Sequence, residues 1–221
     1  MARDDKEEFA IIGLGQFGTS LALTLIEMGH TVLAIDRDRE LVQELADDLG
    51  QTVALDATDE AALSSVGIQA FGTAVVAIGA DFESSILITS LLKELGLPRV
   101  ICKALTERQR SILLKVGADQ VVLPEHEAGR HLARRLSAPD LIDQLDLEPG
   151  TSLVQMHVPE AMVGRDLRTL NLSGRFGVIV LAIKGQRLLV APPAETVLQA
   201  TDMLLLLGPD GATAKLEAWE P

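Results

Sequence analysis

The sequence predicts an α/β protein in which a Rossmann-type, doubly wound parallel sheet is followed by a small α+β C-terminal lobe. From Phe9 to about Pro124, short apolar runs alternate with amphipathic stretches, which is typical of parallel strands joined by helices. A glycine-rich turn follows the first apolar run. After Gly150 the pattern changes to short strands with little helix between them.

Six apolar runs have the length and the continuous hydrophobicity of strands that are buried on both faces. They cover residues 9–12, 31–35, 52–55, 74–78, 99–102 and 120–123. The stretches between them have the periodicity of helices, and Gly29, Gly96 and Gly117 stand where C-terminal caps are expected. Thr58 is expected to cap the short helix after the third strand. This strict alternation predicts a doubly wound sheet.

The pattern changes near residue 138, and the turn Glu148-Pro149-Gly150 is the predicted domain boundary. We expect a nucleotide-binding domain over residues 1–137, a connecting helix and turn over 138–149, and a C-terminal lobe over 150–221. The connection is predicted as a short helix over 141–147 and the turn Glu148-Pro149-Gly150. The lobe is predicted to contain strands at 152–158, 178–183, 187–190 and 203–207, with a hairpin turn at Lys184-Gly185-Gln186.

The composition excludes several classes of protein. The 221 residues carry a formal net charge of −13, which argues against nucleic-acid binding because phosphate neutralisation needs a basic surface. Residues 1–8 resemble neither a signal peptide nor a membrane anchor, and no apolar stretch approaches the ~20 residues of a spanning helix. The single cysteine, Cys102, excludes a disulfide framework and, in its apolar run, is expected to be a buried, inert thiol. We therefore expect an intracellular protein without direct membrane insertion.

The motif Gly13-x-Gly15-x-x-Gly18 lies between the first predicted strand and the first predicted helix. Gly13 permits a tight turn, Gly15 lets the backbone approach a phosphate, and Gly18 lets the helix pack closely on the strand. The helix N-terminus adds unpaired N–H groups and a partial positive charge that favour an anion. The predicted phosphate-binding turn comprises Gly13, Gly15, Gln16, Phe17 and Gly18.

Further candidate binding residues lie at the carboxyl ends of the strands, where ligands bind in open α/β sheets. Asp36 closes the second strand, 23 residues after the first glycine of the motif, and its carboxylate is suited to accept hydrogen bonds from both ribose hydroxyls of an adenosine. Asp56 and Ala57 follow the third strand and are expected near the base, and Gly79 follows the fourth. Lys103 ends the fifth strand, where it either reaches a phosphate or is a solvated lysine.

The residues expected of a dehydrogenase are not apparent. The chain has no Tyr for a Tyr–Lys pair, and none of its four histidines stands in a pattern that pairs it with an orienting acid. His126 and His131 are five residues apart, a poorer spacing for a shared metal than i, i+4. We therefore assign no catalytic residue.

The run 9–18, together with Ala34-Ile35-Asp36, resembles the RCK (regulator of potassium conductance) family, and specifically the single-RCK cytoplasmic subunits of bacterial Ktr and Trk potassium transporters. Similar stretches occur at 77–80, 91–95, 116–119, 124–125, 181–184 and 201–204. The resemblance covers nearly the whole chain, from Phe9 to about Leu216.

The resemblance implies a regulator rather than an enzyme. Such subunits form homodimers that assemble into an octameric ring beneath a membrane potassium transporter. The chain is therefore expected in the cytoplasm, peripheral to the inner membrane through that partner. ATP, ADP or NAD(H) is expected in the cleft, and the ring differs in shape between ligands. By resemblance, Asp36 binds ribose and the phosphates lie against Gly13, Gly15, Gly18 and Lys103.

Two further sites are implied by the resemblance. Glu125 corresponds to an acid that helps to hold a divalent cation, Mg²⁺ or Ca²⁺, near the nucleotide at a subunit interface; the alternative is an acid that favours the start of a helix. The stretch 168–176, with Pro192 across from it, corresponds to a region that binds cyclic di-AMP between two subunits in some relatives; the alternative is ordinary interface.

The sequence departs from the family at Gln16, where close relatives often carry an arginine that reaches the terminal phosphate. A neutral amide lacks that charge-assisted contact, so we expect little discrimination between ATP and ADP. The alternative function is a small NAD(P)-linked oxidoreductase, in which Arg37 and Arg39 beside Asp36 would admit a 2′-phosphate. A nucleotide sensor that acts without a transporter is a third interpretation.

Overall fold

The computed structural model describes residues 7–137 and 140–217. The chain divides into two compact units, one up to His126 and one from Glu127 onward, whereas the sequence predicts a first domain up to residue 137 and a boundary at the turn 148–150. Within the described residues, no helix combines the length and the apolar composition that crossing a membrane requires.

The first unit is built on a six-stranded sheet in which all neighbouring strands are parallel. Its strands are β1 (Glu8–Ile12), β2 (Thr31–Asp36), β3 (Thr52–Ala54), β4 (Thr73–Val76), β5 (Arg99–Lys103) and β6 (Gln120–Val122). Their order across the sheet is β3-β2-β1-β4-β5-β6. Strands β2 and β4 therefore flank β1 at the point where the strand order reverses, which is where such sheets bind ligands. The predicted doubly wound sheet is confirmed.

Helices cover both faces of this sheet. They are α1 (Gln16–Glu27), α2 (Arg39–Glu44), α3 (Ala46–Leu49), α4 (Glu60–Ser65), α5 (Phe82–Glu94) and α6 (Glu107–Val116). Alternate residues of β1 are buried in different hydrophobic clusters. Ile11 is in the cluster that contains Ala22 of α1, and Ile12 is in the cluster that contains Ile88 of α5. Burial on both faces explains why the strands are continuously apolar in sequence.

Aspartates cap three of these helices, namely Asp38 at α2, Asp59 at α4 and Asp81 at α5. The expected cap of α4, Thr58, is wrong. Asp59 accepts hydrogen bonds from the backbone N–H groups of Ala61 and Ala62, because the cap must directly precede the first helical residue. Thr58 lies one residue too early for this role.

Cys102 is completely buried in β5, as the sequence predicts. Its Sγ atom lies 3.2 Å from the hydroxyl oxygen of Thr89 on α5. Burial disfavours the thiolate and raises the pKa of Cys102 to about 11. The thiol is therefore protonated, and unreactive as a nucleophile, at neutral pH.

The second unit contains a five-stranded sheet with antiparallel neighbours, in the order β10-β9-β11-β8-β7. Its strands are β7 (Leu141–Glu148), β8 (Thr151–His157), β9 (Ile179–Lys184), β10 (Leu188–Val190) and β11 (Met203–Pro209). Helix α7 (Pro124–Ser137) leads into this unit, which also contains α8 (Leu167–Leu170), α9 (Leu172–Phe176) and α10 (Ala212–Glu217). Met156, Leu170, Leu204 and Leu216 are in its core. The predicted α+β lobe and the β9–β10 hairpin are confirmed.

The predicted connecting helix over 141–147 is wrong, because these residues form β7. Leu141 and Leu145 have helical spacing, but Leu141 pairs with Met156 in an antiparallel ladder with β8. The turn Glu148-Pro149-Gly150 is therefore the connection inside a hairpin, and Gly150 adopts a φ of +89° there, which glycine tolerates without strain. The ladder partner, β8, lies outside the segment 141–147, so the periodicity of that segment alone was misleading.

Candidate nucleotide site

The glycine turn after β1 leaves room for a ligand at one of its three glycines. Gly13 has a φ of +98°, and a Cβ atom there would lie 3.0 Å from Cγ1 of Ile78. A Cβ atom on Gly18 would lie 1.9 Å from the carbonyl oxygen of Gly13, so no side chain fits. Gly15 has a φ of −65°, and a Cβ atom there would meet no atom within 4 Å. The turn itself therefore requires Gly13 and Gly18, whereas the space beside Gly15 is open.

Helix α1 begins directly after this turn. Gly15 is its N-cap, no side chain caps it, and its first turn contains no acid. The first N–H groups of a helix lack intrahelical partners, and with the helix dipole they favour an anion. Gln16, which is exposed, and Phe17, which is half-buried, are the first two residues of the helix.

Asp36, at the end of β2, is joined to the glycine turn by a hydrogen bond. Its Oδ2 atom accepts from the backbone N–H of Leu14 at 2.7 Å, and its Oδ1 atom accepts from the N–H of Asp38 at 2.9 Å. These bonds hold the carboxylate at the rim of the cleft beside the turn. Each carboxylate oxygen retains a further acceptor position.

A cleft of about 330 Å³ lies at the carboxyl ends of β1 to β4. Six of the predicted binding residues line it: Gly13, Gly15, Asp36, Asp56, Ala57 and Gly79. The other predicted residues are outside this lining: Gln16, Phe17, Gly18, Lys103 and Glu125. Its apolar surface comes from Ile12, Ile35, Leu55, Ile78 and Ile88. An apolar cleft with a few convergent polar groups is typical of a small-molecule site.

Lys103 forms a second cluster next to Gly79. Its Nζ atom lies 2.6 Å from Oε1 of Glu125 and 5.6 Å from the centre of the Phe17 ring. A Cβ atom on Gly79 would lie 3.5 Å from the same nitrogen, so the ammonium group adjoins the cleft. The hydrogen bond from Lys103 holds the pKa of Glu125 below its usual value. The structure thus brings four predicted residues together here: Phe17, Gly79, Lys103 and Glu125.

Arg37 and Asp81 also line the cleft. The sequence indicated Arg37 only as a 2′-phosphate contact in the alternative oxidoreductase, and it did not indicate Asp81. Nη1 of Arg37 lies 3.5 Å from Oδ2 of Asp81, and the Ser84 hydrogen bonds hold the pKa of Asp81 below its usual value. Asp81 follows Gly79-Ala80 and caps α5. The available signal was an aspartate at the start of the helix that follows the fourth strand. Arg37 is far from Asp81 in sequence, so no local pattern indicated the pair.

Asp56 lies at the end of β3 and is engaged by Thr58. Its Oδ1 atom accepts from both the backbone N–H and the hydroxyl of Thr58, at 2.9 and 2.7 Å. These hydrogen bonds keep the pKa of Asp56 below its usual value. Asp56 is therefore a carboxylate at neutral pH.

A separate groove of about 400 Å³ lies in the second unit. Its lining includes Arg168, Asn171, Ser173 and Pro192, all from the two stretches in which the resemblance implies a cyclic di-AMP site. The guanidinium of Arg168 forms an ion pair with Glu195.

Within residues 7–137 and 140–217, no group of three or more His, Cys, Asp or Glu side chains is arranged to hold a metal ion. A cation beside Glu125 would therefore need other oxygen ligands, such as phosphates. The Nδ1 atom of His131 lies 3.6 Å from Oδ1 of Asp143, and the two side chains are 46% and 61% exposed. The sequence did not indicate this pair, because residues 141–147 were predicted as a helix. General-base catalysis usually relies on a more buried, oriented pair.

Two family models match the chain. The TrkA-N domain matches residues 9–124, and the TrkA-C domain matches residues 153–219. The chain is 36% identical over 204 residues to Ktr system potassium uptake protein C of Bacillus subtilis, covering 92% of each. It is 35% identical to Ktr system potassium uptake protein A of the same organism, covering 94% of each.

A solved structure of the GsuK channel bound to NAD has the same fold, with a TM-score of 0.69 at 19% identity. The match covers all of this chain and 41% of that one. A structure of GsuK bound to ADP matches 60% of this chain and 35% of its own, with a TM-score of 0.54 and 19% identity.

Proposed function

This chain belongs to the family of Ktr and Trk potassium uptake proteins, and from that membership we propose that it is a nucleotide-binding regulatory subunit of a bacterial potassium uptake system. The proposal that the chain binds a nucleotide rests on the cleft at the point where the strand order reverses. There, the open space beside Gly15 adjoins the start of α1. An anion fits beside that glycine, and an apolar ring fits in the cleft.

The proposed ligand is ATP, ADP or NAD(H). Its ribose hydroxyls donate to Asp36, and its base lies near Asp56 and Ala57. Its phosphates lie beside Gly15 at the start of α1, within reach of Lys103. Carboxylates suit the hydroxyl donors of the ribose, and an ammonium group suits the negative charge of the phosphates. This complementarity supports the orientation.

A divalent cation, Mg²⁺ or Ca²⁺, is proposed beside Glu125. Glu125 supplies one hard oxygen ligand, and the phosphates supply others. The Lys103–Glu125 ion pair means that cation and lysine compete for the same carboxylate. Phosphates that attract Lys103 would release Glu125, so we expect cation binding to strengthen when nucleotide is present.

The proposed mechanism is a shift of population between two shapes of a ring. Homodimers of the chain assemble into an octamer in the cytoplasm and bind a membrane potassium transporter, which keeps them peripheral to the membrane. A nucleotide moves this equilibrium only by its differential affinity for the two shapes, typically about 1–3 kcal/mol per site. Because the symmetry of the ring repeats the same site, the contributions of the individual sites add up. The nucleotide acts as an effector, and we propose no catalytic reaction.

Cyclic di-AMP is the proposed ligand of the groove in the second unit. Arg168 offers a charged donor for a phosphate, and Pro192 offers an apolar surface for a base. Glu195 already pairs with Arg168, so this ligand would have to compete with that carboxylate.

The experiment that tests the proposed function uses Gly15→Ala, with Gly72→Ala as a matched control. Neither new methyl group meets an atom within 4 Å, and neither glycine has a positive φ, so both variants should fold. Only Gly15→Ala places the methyl group where the phosphate is proposed. We expect it to abolish ADP and ATP binding in calorimetric titrations, and to fail to restore growth at low potassium in a strain that lacks the native gene. Binding or growth equal to that of Gly72→Ala would refute the proposal.

A further inference from the structure

The cleft carries more negative than positive charge in its lining. Asp36, Asp56 and Asp81 line it together with a single basic residue, Arg37. Lys103 lies outside the lining, beyond Gly79. The proposed function puts the adenosine beside these carboxylates, so any further anionic group on the ribose would enter an unfavourable potential.

The Arg37–Asp81 ion pair spans the cleft. Arg37 follows β2, Asp81 follows β4, and these strands flank β1 on opposite sides. Asp81 is held firmly, because it accepts from the backbone N–H of Ser84 at 3.1 Å and from its hydroxyl at 2.7 Å. The side chain of Arg37 is 74% exposed. Exposed pairs contribute little to stability, so the main consequence of this pair is where it places the guanidinium.

Because Arg37 directly follows Asp36 in sequence, the direction of its side chain bears on whether a 2′-phosphate can bind. In dinucleotide-binding sheets, a carboxylate at the end of the second strand binds the ribose 2′-hydroxyl, and an arginine nearby accommodates a 2′-phosphate. Arg37 directly follows Asp36 and could serve as such an arginine. Its guanidinium instead points across β1 to Asp81. A 2′-phosphate would therefore meet the carboxylate of Asp36 while the guanidinium that adjoins it in sequence is engaged by Asp81.

We propose that the Arg37–Asp81 pair makes this cleft selective for adenine nucleotides with a free 2′-hydroxyl, because Asp81 withholds the guanidinium that a 2′-phosphate would need. NAD(H), ATP and ADP belong to the accepted class, and NADP(H) belongs to the rejected class. This inference rests on the proposed nucleotide-binding function. It assigns Arg37 a role opposite to the one that it would have in an NADP-linked oxidoreductase.

The test compares NAD⁺ with NADP⁺, which differ only in the 2′-phosphate, by calorimetric titration of the full chain at fixed salt. The wild-type chain should bind NAD⁺ at least about tenfold more tightly, the size of one charge-assisted hydrogen bond. Asp81→Asn keeps an acceptor for the N–H of Ser84, and asparagine is a good N-cap, so α5 should persist. This variant should bind NADP⁺ more tightly and narrow the preference about two- to fivefold, the size of an exposed ion pair. Adding Arg37→Gln to it should restore most of the preference.

The matched control is Glu107→Gln, which removes another exposed acid and its ion pair with Arg110 on α6. Its preference for NAD⁺ should equal that of the wild-type chain. If the wild-type chain binds NADP⁺ as tightly as NAD⁺, or if Asp81→Asn leaves the ratio unchanged, the inference is wrong while nucleotide binding stands. The inference is also wrong if adding Arg37→Gln to Asp81→Asn does not restore the preference for NAD⁺ over NADP⁺. If the wild-type chain binds none of NAD⁺, ATP and ADP, the proposed function fails and the inference fails with it.

Discussion

The carboxylate of Asp36 holds the glycine turn, because its Oδ2 atom accepts a hydrogen bond from the backbone N–H of Leu14 at 2.7 Å. The side chain proposed to bind ribose is thus also a structural link between β2 and the turn after β1. Its remaining acceptor positions are free for hydroxyl donors. Binding and stability are therefore coupled at this residue.

Asp36→Ala should weaken nucleotide binding and also destabilise the unliganded chain. Truncation leaves the N–H of Leu14 without its partner, which costs about 1–3 kcal/mol if the group stays buried. Asp36→Asn separates the two effects in part, because its amide oxygen can still accept from Leu14 while its NH2 group cannot accept from Asp38. We expect a smaller loss of stability in urea unfolding than in Asp36→Ala, with weaker ADP binding by calorimetry. Wild-type affinity in a folded Asp36→Asn variant would remove Asp36 from the site.

Glu125→Gln should reduce the stabilisation that Mg²⁺ or Ca²⁺ adds to the nucleotide complex. An amide oxygen can ligate a hard cation, but it lacks the negative charge of a carboxylate and binds the cation more weakly. The measurement is the thermal midpoint with nucleotide, with and without the cation. Glu127→Gln, two residues along α7 and also exposed, is the control and should keep the full cation effect. An equal cation effect in both variants would leave Glu125 as an acid that merely pairs with Lys103 at the start of the helix.

Gln16→Arg should shift the binding preference toward ATP. The wild-type chain is expected to bind ADP and ATP with similar affinity, because a neutral amide contributes roughly 1 kcal/mol against about 1.5–3 for a charged donor. Gln16 lies exposed at the start of α1, so a longer side chain fits there. Gln43→Arg on α2 adds the same charge at another exposed position and should leave the ratio unchanged.

Titrations at fixed magnesium and salt measure this ratio, and Lys103→Ala should reduce any preference that remains. A wild-type chain that already prefers ATP tenfold, without further gain in Gln16→Arg, would contradict the expectation.

Native stability should fall as the pH rises from about 9 toward 11, because burial raises the pKa of Cys102 to about 11 from an ordinary 9.0. Between these values the unfolded thiol ionises while the folded one does not, so deprotonation favours unfolding. A shift of this size corresponds to roughly 2–3 kcal/mol. The check is the free energy of unfolding in urea across this range. Cys102→Ala lacks the titrating group and should show a shallower decline; equal slopes would contradict the assignment to Cys102.

Much of the first unit could be predicted from sequence because its signals are local. A buried parallel strand is continuously apolar, and a glycine turn with Asp36 beyond it has a recognisable spacing. Because ligands bind at the carboxyl ends of the strands in such sheets, six of the residues that line the cleft could be predicted. The paired residue Asp81 did not, since a capping aspartate has the same local appearance whether or not an arginine faces it.

The sequence by itself determined the alternation of strands and helices, the glycine turn and the family. The tertiary structure alone decided which strand ends meet and which charges pair. Residues 141–147 form a strand because β8 supplies the hydrogen-bond partners that a strand needs. Lys103 faces Glu125, and Arg37 faces Asp81, because strand order brings distant segments together. Such contacts depend on long-range packing, which no local periodicity records.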